Sequence, residues 1–100
     1  MAPFLGGINL ENIKTSTQIP IDINGRCVHK IVYAIQPKTS CVYISHNGRT
    51  VNAKSILGVL SLNLKEKDIV DIFCYNENID IAEQDCKAVE KILTKINEYD

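Results

Sequence analysis

Hydrophobic positions change their period several times along the chain, and each change marks an element. Ile19, Ile21 and Ile23 recur every second residue and predict a strand over Thr15–Ile23. Pro20 has no N–H to give to a ladder, so that strand belongs at a sheet edge or is irregular. Asn24-Gly25 then supplies a turn. Cys27, Ile31, Ala34 and Ile35 recur at helical spacing and predict a helix over Arg26–Gln36, which Pro37 ends. Cys41, Val42, Tyr43 and Ile44 predict a strand over Ser40–Ser45. His46-Asn47-Gly48-Arg49 follows as a tight hairpin turn into Thr50-Val51-Asn52.

Ser55 stands ahead of the apolar run Ile56, Leu57, Val59, Leu60 and Leu62, where its hydroxyl suits the N-cap of a short helix. Gly58 lowers that helix's intrinsic stability. Ile69, Val70, Ile72, Phe73 and Cys74 predict a strand over Asp68–Tyr75, buried on at least one face. Ala82, Cys86, Val89, Ile92, Leu93 and Ile96 keep one face of a long final helix apolar, and Asp80 and Glu83 have capping-box spacing at its start. Ahead of all this, residues 1–14 contain Gly6-Gly7 and no sustained period, which predicts a flexible or loosely docked leader before a domain over residues 15–100. In order, the elements suggest an antiparallel sheet with helices packed on one face.

Composition narrows the picture. One hundred residues, 45% hydrophobic and 23% charged, fit one domain. The formal net charge is -1 with cations and acids interspersed, so no basic stripe addresses nucleic-acid phosphates. No window approaches a membrane span, and no basic leader precedes the short apolar stretch in Met1–Leu10, which points to a cytoplasmic protein. Cys27, Cys41, Cys74 and Cys86 are widely spaced without a C-x-x-C pair, and only two histidines accompany them. Free, mostly buried thiols are the expectation, with no metal and no cofactor.

The segment His46-Asn47-Gly48-Arg49-Thr50-Val51-Asn52-Ala53-Lys54-Ser55-Ile56-Leu57-Gly58-Val59-Leu60-Ser61-Leu62 resembles the regulatory-serine region of HPr, the histidine-containing phosphocarrier of the sugar phosphotransferase system, in its Gram-positive form. Lys87-Ala88-Val89-Glu90 and the apolar stripe around it resemble the family's last helix, and the element order agrees from about Thr15 onward. The resemblance implies an α+β fold, the HPr-like open-faced β-sandwich, with a four-stranded antiparallel sheet covered on one face by three helices. Two departures stand out. The chain is shorter than the family pattern between Asn24 and Asn47 and longer over Tyr75–Ala82. The His-x-Arg-Pro motif, which the family places after an apolar residue at a helix N-terminus, is missing, and the residues there read Arg26-Cys27-Val28-His29-Lys30-Ile31.

A phosphohistidine carrier needs an accessible imidazole, helix N-terminal N–H groups for the phosphoryl oxygens and a nearby cation. Without a gap Cys27 takes the histidine's place, and a two-residue insertion puts His29 there; neither register restores both arginine and proline. Cys27 and His29 therefore form a degenerate phosphocarrier site. Packing alone accounts for Cys27, although a helix N-terminus beside Arg26, His29 and Lys30 would also suit a reactive thiolate. A surface position accounts for His29. Ser55 is a helix cap on its residues alone, and the resemblance adds phosphorylation by a dedicated kinase whose product acts as a corepressor. Ile56, Leu57 and Leu60 resemble the apolar side chains through which the family's second helix meets its partners. The expected protein is a non-enzymatic, HPr-like regulator whose partners are an HPr kinase-like enzyme, a transcriptional regulator or phosphotransferase components. A divergent carrier using His29 and a thiol sensor using Cys27 are the alternatives.

Overall fold

The computed structural model describes residues 11–97 and, ahead of them, the backbone of two short strands, β1 (Phe4–Leu5) and β2 (Ile8–Asn9), which pair antiparallel. Much of the expected leader lies outside the described residues, but Glu11–Lys14 do not, and they form the first half of β3 (Glu11–Gln18). The boundary at residue 14 thus falls within a strand. The elements that follow are α1 (Gly25–Ile35), β4 (Cys41–His46), β5 (Arg49–Asn52), α2 (Ile56–Ser61), β6 (Ile69–Asn76) and α3 (Ile79–Lys95). The four longer strands form one antiparallel sheet in the order β3-β6-β4-β5, with β3 at one edge as Pro20 led us to expect.

That strand lies earlier than its isoleucines suggested. It ends at Gln18, and Ile19–Ile23 run on beside residues 64–68 through single bonds instead of a ladder: Ile19 N to Asp68 O at 2.8 Å, Lys67 N to Ile19 O at 2.7 Å and Ile23 N to Leu64 O at 3.0 Å. Pairing breaks on the other strand, where Asp68 N donates to Lys65 O in its own turn and Lys67, at a φ of 76°, reaches Ile19 O in its place, while Pro20 sits where an N–H would face the open edge. The alternation read in the isoleucines is real, because Ile19 and Ile23 are both buried, but it describes an irregular segment.

Register fixes which side chains face the helices. Ile13, Cys74 and Val42 lie opposite one another across three strands, as do Thr15, Ile72 and Ile44. Cys74, Val42, Ile72 and Ile44 are almost fully buried, with Ile13 packed against them. The alternate residues form the other face. There Ser16 Oγ donates to Asp71 Oδ1 at 2.6 Å, the Lys14 ammonium lies 5.7 Å from the Phe73 ring centre, and Tyr43 meets Tyr75 edge to face at 5.9 Å. The β4–β5 turn needs positive φ at two successive residues, supplied by Asn47 (50°) and Gly48 (79°), as its Asn-Gly sequence predicts.

Each helix begins at a polar cap. The Asn78 side chain accepts from Asp80 N at 3.0 Å and Ile81 N at 3.3 Å, so Asp80 lies in the first turn of α3 and is not the cap its spacing to Glu83 suggested. Glu83 pairs instead with Lys87 at 3.2 Å, one turn on. Ala82, Cys86, Val89 and Leu93 carry α3 onto β3 and β6. We predict that Leu93→Ala lowers the unfolding free energy by about 2–5 kcal/mol in urea titrations, whereas Leu57→Ala on the exposed side of α2 stays within about 0.5 kcal/mol of wild type.

Candidate functional site

The residues singled out in the sequence lie on α1 and α2, which pack against each other. The α1 terminus corrects the reading of Asn24-Gly25 as a turn: Asn24 is the N-cap, its Oδ1 accepting from Cys27 N at 3.0 Å, and Gly25 is the first helical residue. Asn24 has the extended backbone an N-cap requires, and its carbonyl accepts from Val28 N at 2.9 Å. Gly25 and Arg26 are exposed beside it, with open space around the Gly25 α-carbon.

Cys27 and His29 do not converge on one site. Two residues on a helix are about 200° apart, so one side chain faces in when the other faces out. Cys27 is 1% exposed within the core cluster, whereas His29 is on the surface with its ring centre 5.8 Å from that of Tyr33. Cys27 packs there as a small buried hydrophobe. His29 sits beyond the first turn, past the N–H groups that α1 leaves free for an anion.

Ser55 is the N-cap expected of it. Its Oγ accepts from Gly58 N at 3.0 Å, and its carbonyl accepts from Val59 N at 3.0 Å. A Cβ at Gly58 would lie 3.2 Å from Ser55 Oγ and 3.3 Å from Val51 Cβ. Glycine there costs intrinsic helicity but lets the cap close against β5, a reason not visible in the sequence. The α2 side chains divide as their spacing suggests: Val59 and Leu62 are buried, while Leu57 is 78% and Leu60 45% exposed. Ile56 is half-buried and packs against the core, so it offers only one edge to this surface. Lys54, just ahead of the cap, is tied down by a bond from its ammonium to Lys38 O.

Two arrangements were missed. Asn24 as a cap was signalled by its position just ahead of the first apolar residues of α1, but the Asn-Gly pair masked it. The approach of Cys86 to the strand carrying Cys74 had no sequence signal, since strand and helix meet only through the tertiary fold. Among the described residues no three His, Cys, Asp or Glu side chains gather as a metal-ligand set, and no helix is long and apolar enough to cross a membrane.

Comparison with known proteins agrees with this architecture. Among solved structures, the phosphocarrier protein HPr of Bacillus anthracis superposes with a TM-score of 0.74 at 25% identity, covering 83% of this chain and 98% of that one. The HPr-C-His protein of Thermoanaerobacter tengcongensis gives a TM-score of 0.66 at 19% identity, over 83% and 90% of the two chains. Crh, the catabolite repression HPr of Bacillus subtilis, gives 0.60 at 20% identity, over 85% of this chain and all of that one. The last two likenesses, at those identities, show the fold alone. No curated protein sequence matches the chain. Residues 14–95, which include every element from β3 to α3 apart from the first three residues of β3, match the family model described as the PTS HPr component phosphorylation site, and the chain therefore belongs to the HPr family of phosphotransferase-system proteins, whose phosphocarriers are carrier proteins rather than enzymes.

Proposed function

We propose that this chain is a cytoplasmic, non-catalytic regulator of the HPr family, phosphorylated on Ser55 by an HPr kinase-like enzyme and docking through Ile56, Leu57 and Leu60. Its downstream partner in this reading is a transcriptional regulator or a phosphotransferase component. The observation that carries the proposal is the pairing of an intact α2 cap and apolar surface with an α1 terminus that has no imidazole at its cap.

The position of the α1 cap also supports a different register from the one inferred from sequence. The family motif runs apolar residue, histidine, small residue, arginine and proline at a helix N-terminus. Beginning at the residue before the cap, this chain reads Ile23, Asn24, Gly25, Arg26 and Cys27. In this register the apolar, small and arginine positions are kept, Asn24 replaces the phosphorylated histidine, and Cys27 replaces the proline. An amide is a poor nucleophile, and this one already accepts the Cys27 N–H. The register favours neither His29 nor Cys27 as a phosphoryl acceptor: one lies along the helix from the free N–H groups and the other is buried.

A phosphate on Ser55 would add roughly −1.5 to −2 charge at the start of α2, beside backbone N–H groups that favour an anion. It would leave the core residues Val59 and Leu62 in place and alter the surface next to Leu57 and Leu60. A partner reading both would meet charge and apolar area together.

Two predictions follow from this reading. Incubation with an active HPr kinase and ATP adds one phosphate to Ser55, lost in Ser55→Ala, while enzyme I with phosphoenolpyruvate adds none, as read by intact mass and peptide mapping under conditions that preserve phosphohistidine. Acid-labile phosphate on His29 would sink the proposal. In the same kinase assay Leu57→Ala raises the KM for this protein by about tenfold, the effect of an interface anchor worth more than 1 kcal/mol, with its melting temperature unchanged. An unchanged KM would remove Leu57 from the docking surface.

A further inference from the structure

All four cysteines are free thiols, and two of them share one place in the core. Cys74 points inward from β6, directly across the ladder from Ile13 on β3. Cys86 points down from α3 onto the same rung: its Sγ lies 3.8 Å from Ile13 O and 3.8 Å from Ile72 O, the carbonyls of the residue opposite Cys74 and of the residue two before it. Those two carbonyls place the Cys86 sulfur over the rung that carries Cys74. Both are almost fully buried, at 0% and 1% exposure. Cys41 stands on the opposite face of the sheet and Cys27 on α1, so neither shares this position.

One thiol of the pair lines a cavity. It has a volume of about 260 Å³ and opens between β3 and α3, walled by Ile13, Thr15, Cys86 and Glu90 with Lys14 and Lys87 beside them. That volume exceeds the size of a water or a peroxide molecule.

We propose that Cys74 and Cys86 are an oxidisable pair, a modification site at which hydrogen peroxide joins β6 to α3 through a disulfide. Cys86 is the member of the pair that lines the cavity, so it is the one that meets peroxide first. Cys74, raised by the neighbouring Cys86 and by burial, keeps its proton until the second step. In the first step the Cys86 thiolate attacks one peroxide oxygen, the O–O bond breaks, and the departing hydroxide takes up the proton released on ionisation and leaves as water. Cys86 is then a sulfenic acid. In the second step the Cys74 sulfur attacks the Cys86 sulfur, its proton goes to the sulfenic oxygen, the S–O bond breaks and a second water leaves. Two thiols are oxidised to one disulfide and one peroxide is reduced to two waters.

The site is independent of Ser55 and of α2. Its product closes the chain between residues 74 and 86 and fastens the long helix to the strand beneath it. A covalent tie of this kind restricts the unfolded chain, so the oxidised protein should melt at a higher temperature than the reduced one.

The test is to treat the folded, reduced protein with hydrogen peroxide, block the remaining thiols under denaturing conditions and map the peptides without reduction. The expected result is a cross-linked peptide joining Cys74 to Cys86, a loss of two hydrogens that dithiothreitol reverses, and Cys27 and Cys41 recovered as blocked thiols. Peptide mapping separates this from any oxygen added to Met1. The variant with Cys27→Ala and Cys41→Ser should form the same cross-link, and Cys86→Ala should lose it. Should Cys86→Ala fail to fold, the double variant decides, because it keeps both thiols of the pair. Recovery of Cys74 and Cys86 as free thiols, or a cross-link through another cysteine, would overturn the proposal.

Discussion

The structure depends on one burial problem. The long helix α3 presents Ala82, Cys86, Val89 and Leu93 along a single stripe, and the surface that buries it is the inward face of β3 and β6. That requirement sets the register of both strands, since a slip by one residue would turn Ile72 and Cys74 to solvent and bring Asp71 and Phe73 under the helix. It also holds the edge strand β3, whose only strand partner in the main sheet is β6. With α3 seated, α1 and α2 cover the rest of this face, and Val28, Ile31, Val32 and Val59 complete one continuous core.

Much of this arrangement was legible in the sequence because it is periodic. The α3 stripe, the β6 run and the Asn47-Gly48 hairpin each announce themselves within a few residues, and each lies where its period or turn chemistry places it. What failed to be legible was irregular or tertiary. Ile19, Ile21 and Ile23 alternate like a strand because Ile19 and Ile23 must be buried, yet the turn at residues 65–68 offers them only single bonds and no ladder. The true strand, Glu11–Gln18, has polar side chains on its open face and only Ile13 as an aliphatic residue facing the helices; Thr15 and Thr17 complete that row. Threonine suits a strand but gives little hydrophobic signal.

The candidate site divides along the same line. Ser55 was recognisable because an N-cap is a local device, a polar residue followed by an apolar run. The α1 terminus used the same device, but Asn24 is followed by glycine, and Asn-Gly is as strong a signal for a turn as for a cap. The sequence reading began the helix at Arg26, one residue late, and set the family motif against Cys27 and His29. The register proposed above sets it against Asn24 instead, the residue that accepts the Cys27 N–H, with Arg26 following at the exposed end.

The surface around Ser55 follows from how little of α2 the core needs. A six-residue helix makes fewer than two turns, and Val59 and Leu62 suffice to anchor it. Leu60 keeps nearly half of its surface in water, and Leu57, 78% exposed, has little packing duty, so leaving Leu57 there forgoes much of the about 1.5–3 kcal/mol that full burial of a leucine gives. A polar residue at position 57 would satisfy the fold nearly as well, so folding alone does not select leucine there. Burial of both against one partner would recover part of that free energy, beside the hydroxyl that the proposed function makes the site of phosphorylation. In this arrangement the groups that hold the domain together point inward from α2, and the groups available for recognition point outward beside its cap. A change at the surface can therefore alter binding with little effect on the core.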